Sequence, residues 1–209
     1  MIDLHTSYLA LIASAVEGYL LGSIPFGLIA TRLGGAGDIR NVGSGNIGAT
    51  NVLRTGRRDL ALITLIGDAG KGALAVLLAA SLVSPLAGAV AGGAAFLGHL
   101  FPVWLRFRGG KGVATFFGIL FAGAWPIGLA AGAAWLIMAG VFRYSSLAAI
   151  TAAALAPIYV LILYGWTTPL FWLALGMAVL IFIRHRANIS RLLTGTEPRI
   201  GAAKLQASP

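Results

Sequence analysis

The strongest constraint on this chain is how long it runs without a charge. Apolar stretches of about twenty residues or more, the length that crosses a bilayer's hydrocarbon core as a helix, fill Ser7–Leu33, Leu60–Val83, Pro85–Leu105, Val113–Phe142 and Ser146–Tyr164, and a last one follows Pro169 to Ile183. Only 10% of the 209 residues are charged, against roughly 25% in a soluble domain. The sequence therefore specifies an all-α polytopic membrane protein, read as a single domain over residues 1–209. Its 29 glycines suit helices that pack backbone to backbone in lipid. Cysteine is absent, which excludes disulfides, thiolate chemistry and cysteine-ligated metals. Near the N-terminus stand Asp3 and His5, where a secretory signal would need a basic segment, so 7–33 reads as a retained span.

The number of crossings turns on 113–142, which is long enough for one helix or for two short ones joined at Trp125-Pro126. Charge decides between them. A single crossing separates the polar loop Gly34–Asp59 from the basic tail beginning at Arg184. A turn at Trp125-Pro126 makes seven transmembrane helices and gathers fourteen of the 15 Lys and Arg residues on one side, Lys71 being the exception inside its span. The opposite turns, Ser84-Pro85, Trp125-Pro126 and Gly165–Pro169, carry no charge. By the positive-inside rule the N-terminus is outside and the C-terminus cytoplasmic. A net charge of +9 thus speaks of membrane orientation, and no nucleic acid partner is expected.

Three polar stretches then share one face. In the first, Asn41–Arg54, the glycines Gly43, Gly45 and Gly48 leave amides approachable, Ser44, Asn46, Thr50 and Asn51 add neutral hydrogen-bonding groups, and Arg54 adds a planar cation. A phosphate-binding loop at a helix N-terminus needs these parts, although a glycine-rich linker has a similar composition. The second, Gly109-Gly110-Lys111-Gly112-Val113-Ala114-Thr115, sets a lysine among glycines where a helix begins, again an anion site. The third, Arg184–Arg191 followed by Gly195-Thr196-Glu197, fits a headgroup anchor, but His185 and Asn188 stand three apart and could face a pocket. Inside the spans, Gly22–Gly27 with Pro25 predicts a kink. Asp68 and Lys71 share a helix face as an ionisable pair, either a functional group or a structural one.

Lys111 and Lys71 both lack the leading glycine and the trailing Ser or Thr of a nucleotide-binding loop. The sequence also lacks a G-x-S-x-G elbow, and no His is followed five residues later by Asp. With only six carboxylates, and with His99 and His185 distant from them in sequence, neither a metal nor a cofactor is expected. Such a site holds anions and lacks strong nucleophiles. It suits a substrate that brings its own leaving group, with positioning and charge stabilisation as the catalytic means.

Taken in order, Gly22–Gly27, Gly43–Asn51, Gly67–Gly72, Gly98-His99 through Phe101-Pro102, Gly109–Thr115 and His185–Glu197 resemble the bacterial acyl-phosphate:glycerol-3-phosphate acyltransferase family over nearly the whole chain. The resemblance implies a seven-helix enzyme of the bacterial cytoplasmic membrane with its active site facing the cytoplasm. It would transfer a fatty acyl group from acyl phosphate to the 1-hydroxyl of glycerol 3-phosphate, giving lysophosphatidic acid and inorganic phosphate, the first step of phospholipid synthesis. Its partners would be those two small molecules and membrane lipids. Ser44, Arg54, Lys111, His185 and Asn188 carry over as catalytic residues. Gly43, Gly45, Asn46, Gly48, Thr50, Asn51, Gly109, Gly110, Gly112 and Thr115 carry over as substrate-binding ones. The competing class is a transporter for a phosphorylated metabolite, which should show an internal repeat with polar breaks in both halves; no convincing repeat is found.

Overall fold

The structure, a computed structural model, describes residues 7–201; Asp3, His5 and the tail's Lys204 lie outside the described residues. The regular elements among the described residues are all helical. Five segments are long and apolar enough to cross a membrane: Tyr8–Leu33, Arg58–Leu82, Pro85–Leu105, Trp125–Phe142 and Ser145–Tyr164. A sixth arises if Pro169–Arg184 and Arg186–Leu193, bent by 61° from one another, count as one.

The first segment is broken where the sequence places Pro25. Helix α1 (Tyr8–Gly22) stops at Ser23 and α2 (Phe26–Leu33) resumes after the proline. In lipid the carbonyls freed by such a break need partners. Trp104 Nε1 donates to Ser23 O at 3.0 Å, and Lys71 Nζ to Ile24 O at 2.8 Å. After a loop holding the one-turn helix α3 (Ala49–Val52), α4 (Arg58–Leu82) and α5 (Pro85–Leu100) form an antiparallel pair, with Ser84 capping α5 by accepting from Ala87 N–H at 3.2 Å.

The long stretch 113–142 does break in two. Ala124, extended at φ −162°, ψ 99°, separates α6 (Val113–Gly123) from α7 (Trp125–Phe142), and Gly128 folds back against Phe121. Two helices therefore replace one because Pro126 at the start of α7 has no N–H to continue the α6 ladder. α8 (Ser145–Tyr164), α9 (Pro169–Arg184) and the short α10 (Arg186–Leu193) complete the chain.

Packing follows the small residues. Gly18 and Gly22 of α1 rest on the backbone of Ala91 and Ala95 of α5, and Gly118 of α6 rests on Ala69 of α4. Such contacts let backbones approach where lipid offers no hydrophobic drive between helices. The apolar centre, with Phe96, Phe116, Ile119, Leu120, Met177 and Ile181, lies among α4, α5, α6 and α9 and extends through Ile127 to α7 and through Val160 to α8. Outward-facing Leu62, Ile66, Leu77, Leu136, Ile137 and Ile162 are more than half exposed, as lipid-facing side chains are.

Candidate functional site

The loop between α2 and α4 is built around Asn51, which is 2% exposed. Its amide nitrogen donates to Ile39 O (3.1 Å), Val42 O (2.8 Å) and Asn46 O (2.8 Å). Its oxygen accepts from Ser44 N–H (3.1 Å), Ser44 Oγ (3.3 Å) and Arg54 Nη1 (3.3 Å). Asn51 thus shapes the loop from within while Ser44 faces out. Gly43 (φ 56°) is left-handed and sits where a methyl would meet Asn51 Oδ1 at 2.6 Å and Arg54 Cδ at 2.8 Å. The expected helix N-terminus after Gly48 is only the one turn Ala49–Val52, too short for a useful macrodipole. Positive charge in this loop therefore comes from side chains. Arg40 Nη2 is 2.5 Å from Asp38 and Arg57 Nη2 2.6 Å from Asp59. Arg54 bonds a neutral amide and forms no ion pair among the described residues, so its charge is uncompensated.

Lys111 lies across from this loop. Gly109 N–H donates to Leu100 O and Gly110 N–H to His99 O, both at 3.1 Å, returning the chain onto the end of α5. Gly112, left-handed at φ 83°, opens α6. Arg184, at the end of α9, donates from Nε to Gly110 O (3.1 Å) and from Nη2 to Gly109 O (2.9 Å), and lies over the Phe101 ring at 5.5 Å. Lys111 Nζ donates to Asn188 Oδ1. Asn188 Nδ2 donates to Glu197 Oε1 at 2.6 Å, Ser146 Oγ donates to the same oxygen at 2.6 Å, and Arg191 Nε donates to Glu197 Oε2 at 2.7 Å. Thr50 Oγ1, 3.4 Å from Ser145 Oγ, links the first loop to the start of α8.

Burial pushes the Lys111 ammonium down to about 8; Glu197 opposes this, while Arg191, Arg184 and Arg54 add to it. Three positive neighbours around one lysine mark a pocket that favours an anion. Burial pushes the Glu197 carboxyl up, but hydrogen bonds from Ser146, Asn188 and Arg191 outweigh it and hold it below the ordinary range. His185 is buried, and its Nδ1 donates to Ile181 O at 2.8 Å, which leaves Nε2 with the lone pair of the neutral ring.

Ser44, Arg54, Lys111, His185 and Asn188 are thus gathered at one end of the helices, with Gly43, Gly45, Gly48 and Asn46 in the first loop and Gly109, Gly110 and Gly112 in the second. Thr115 does not join them. It is fully buried, its side chain packs against Gly72 of α4, and its hydroxyl makes no hydrogen bond among the described residues. Position 115 lies one turn into α6, on its inward face. Sequence reasoning placed Arg184 and Glu197 in the third stretch without making either a site residue, and gave no role to Ser145 or Ser146. Glu197 could have been singled out as the one carboxylate in the tail segment after Arg184; the serines carry no local signal. At the apolar end of the first loop, Phe26, Ile29, Ala30, Leu33, Gly34, Leu60 and Ile63 line a groove of about 440 Å³ between α2 and α4.

Residues 12–195 match the family model described as glycerol-3-phosphate acyltransferase. Among curated relatives, the glycerol-3-phosphate acyltransferase of Caulobacter vibrioides is 68% identical over 95% of this chain and 91% of its own length. That of Rhodospirillum rubrum is 58% identical over 98% of each. The crystal structure of PlsY, an integral membrane glycerol 3-phosphate acyltransferase, in its glycerol 3-phosphate form superposes with a TM-score of 0.86 at 40% identity, covering 91% of this chain and 96% of that one. Its lysophosphatidic acid form gives 0.84 at 38% identity, over 91% and 95%.

Proposed function

Since the chain belongs to the glycerol-3-phosphate acyltransferase family, we propose that it transfers a fatty acyl group from acyl phosphate to the 1-hydroxyl of glycerol 3-phosphate, releasing lysophosphatidic acid and inorganic phosphate. The observation that carries the reading is the pairing of two separate cations: Arg54 uncompensated in one loop, and Lys111 on the neutral Asn188 in the other. Two phosphorylated substrates need two such anchors, and among the described residues neither loop pairs a hydroxyl or amine with a carboxylate or imidazole that would activate it as a nucleophile.

In this mechanism Arg54 and the amides around Gly43–Gly48 hold one phosphate, and Lys111 holds the other and stabilises the departing one. Ser44 and Asn188 orient the carbonyl and the glycerol hydroxyl. The hydroxyl oxygen bonds to the acyl carbon, the carbon–oxygen bond to phosphate breaks, and the hydroxyl proton passes to a phosphate oxygen, with His185 Nε2 as the protein's alternative acceptor. The reaction needs no metal or cofactor. Asn51 contributes by holding Ser44 and Arg54 in place.

The proposed topology is seven crossings with the N-terminus outside, the C-terminus and site cytoplasmic, in a bacterial inner membrane. At 1.5 Å per residue α6, with 11 residues, is about 16 Å long and needs its loop and local thinning to span. Supporting this, Gly110 at one end meets Arg184 at the end of α9, and Gly123 at the other faces Leu170 at its start. Purified protein given palmitoyl phosphate and glycerol 3-phosphate should release phosphate, and palmitoyl-CoA should not substitute. Acyl transfer from palmitoyl-CoA at equal rate, or glycerol 3-phosphate uptake into vesicles without phosphate release, would refute the reading.

A further inference from the structure

A second polar cluster lies inside the helices, beneath the Lys111 loop and outside the mechanism above. Asp68 and Lys71 of α4 and His99 of α5 are each less than 5% exposed. Lys71 Nζ is 2.7 Å from Asp68 Oδ1 and bonds Ile24 O at the α1–α2 break. His99 Nδ1 stands 3.6 Å from the same Asp68 oxygen, short of a hydrogen bond. The other side of the imidazole abuts Gly110: a methyl there would lie 2.2 Å from Nε2. Gly110 N–H is meanwhile bound by the His99 carbonyl, and Gly110 O by Arg184. The residue next in the chain is Lys111.

We propose that Asp68, Lys71 and His99 are positioning residues for Lys111, forming a strut from the α1–α2 break to the underside of Gly110. A charged cluster in lipid is costly, and apolar residues of similar volume would hold helices together as well. What apolar residues would not supply is a ring fixed in place by a charge. The Asp68 carboxylate attracts the ring edge across the 3.6 Å gap, the ring fills the space beneath Gly110, and Arg184 pulls both glycine carbonyls toward α9. The dipeptide before Lys111 is gripped from two sides, which fixes where the lysine stem starts, while Asn188 holds its ammonium at the far end. Gly110 has to be glycine for the same reason, since the ring occupies the space of a Cβ.

This inference rests on Lys111 serving as an anion-holding group in the proposed reaction, and a double-mutant cycle tests the two separately. Lys111→Ala, His99→Gln and the pair combined are compared by phosphate release, with thermal unfolding in detergent alongside. His99→Gln is expected to lower kcat by about 100-fold with Lys111 present, the effect of a misplacement near 1 Å. In the Lys111→Ala background it should lower it by less than about twofold, because its effect passes through Lys111. The paired substitution Asp68→Leu with Lys71→Met keeps volume and removes both charges, but it also takes the partner from Ile24 O and should lower Tm; at a temperature where this variant stays folded, its turnover should still fall about tenfold or more. An equal loss from His99→Gln with and without Lys111, or full turnover in the Asp68→Leu/Lys71→Met protein, overturns the inference. Wild-type turnover in Lys111→Ala instead removes the role assigned to Lys111 and the strut with it.

Discussion

Replacing Glu197 by Gln should move the alkaline limb of the pH–rate profile by an amount that follows from the site. Lys111 is charged below about 8 and loses its proton as pH rises through that value. Glu197 is what opposes burial there, reaching the ammonium across the Asn188 amide through bonds Lys111–Asn188 and Asn188–Glu197, the latter 2.6 Å. Two hydrogen bonds and an amide place the charges about 6 Å apart, and at an effective dielectric of about 40, between buried and aqueous limits, their attraction is about 1.4 kcal/mol, or about one pKa unit. Without the carboxylate the neutral amine is favoured, so the limb should fall from about 8 to about 7. Freeing Arg191 from its ion pair pushes the same way. At pH 7.5 the charged fraction then drops about threefold, at pH 6 it barely changes, and well above pH 8 the deficit approaches about tenfold. The assay is kcat/KM for phosphate release against pH, which reports free-enzyme groups, corrected for spontaneous acyl phosphate hydrolysis. A limb that stays put or rises in Glu197→Gln refutes the reasoning, as does a limb at about 8 that survives in Lys111→Arg.

Three further outcomes follow from the same geometry. Arg54→Ala should lower kcat/KM for glycerol 3-phosphate by about 10- to 100-fold, the worth of a charge-assisted hydrogen bond. Arg57→Ala, which breaks an exposed pair with Asp59, should stay within about threefold in the same steady-state assay. Gly18→Ala drives a methyl to 2.2 Å from Ala91 O and should cost about 1–3 kcal/mol, read as a lower Tm in detergent; Gly132→Ala, with nothing within 4 Å, should leave Tm unchanged or raised. Because the chain has no native cysteine, Ser44→Cys and Ser190→Cys should react with an impermeant thiol reagent from one side of sealed vesicles and Thr167→Cys from the other.

What could be read without the structure was what depends on neighbours in the chain. Hydropathy over twenty residues marks helices that lipid surrounds, and the breaks were legible from Pro25 beside glycines and from the charge pattern that requires a turn at Trp125-Pro126, whereas Pro157 sits inside the unbroken α8. The first two candidate stretches were legible too, because glycines beside a Lys or Arg expose amides and charge locally, whereas the third, Arg184–Arg191, was legible only as a basic run after the last span. Contacts between distant segments were not, since no periodicity records them. His99 lies far from every carboxylate in the sequence, yet folding α4 against α5 sets it 3.6 Å from Asp68. Ser146 looked like the start of a helix until Glu197 met it 51 residues later. Thr115 shared the Lys111 motif, but the rotation of α6 turned it into the core. Among Arg40, Arg54, Arg57 and Arg58 of the polar loop, spacing cannot tell which is neutralised; the positions of Asp38 and Asp59 pair Arg40 and Arg57, and of the two left unpaired Arg58 opens α4 while Arg54 bonds Asn51 inside the loop. Local chemistry dictated which groups the chain could offer, and the folded structure dictated which of them are free to meet an anion, because a positive charge is available to one only when no carboxylate has already neutralised it.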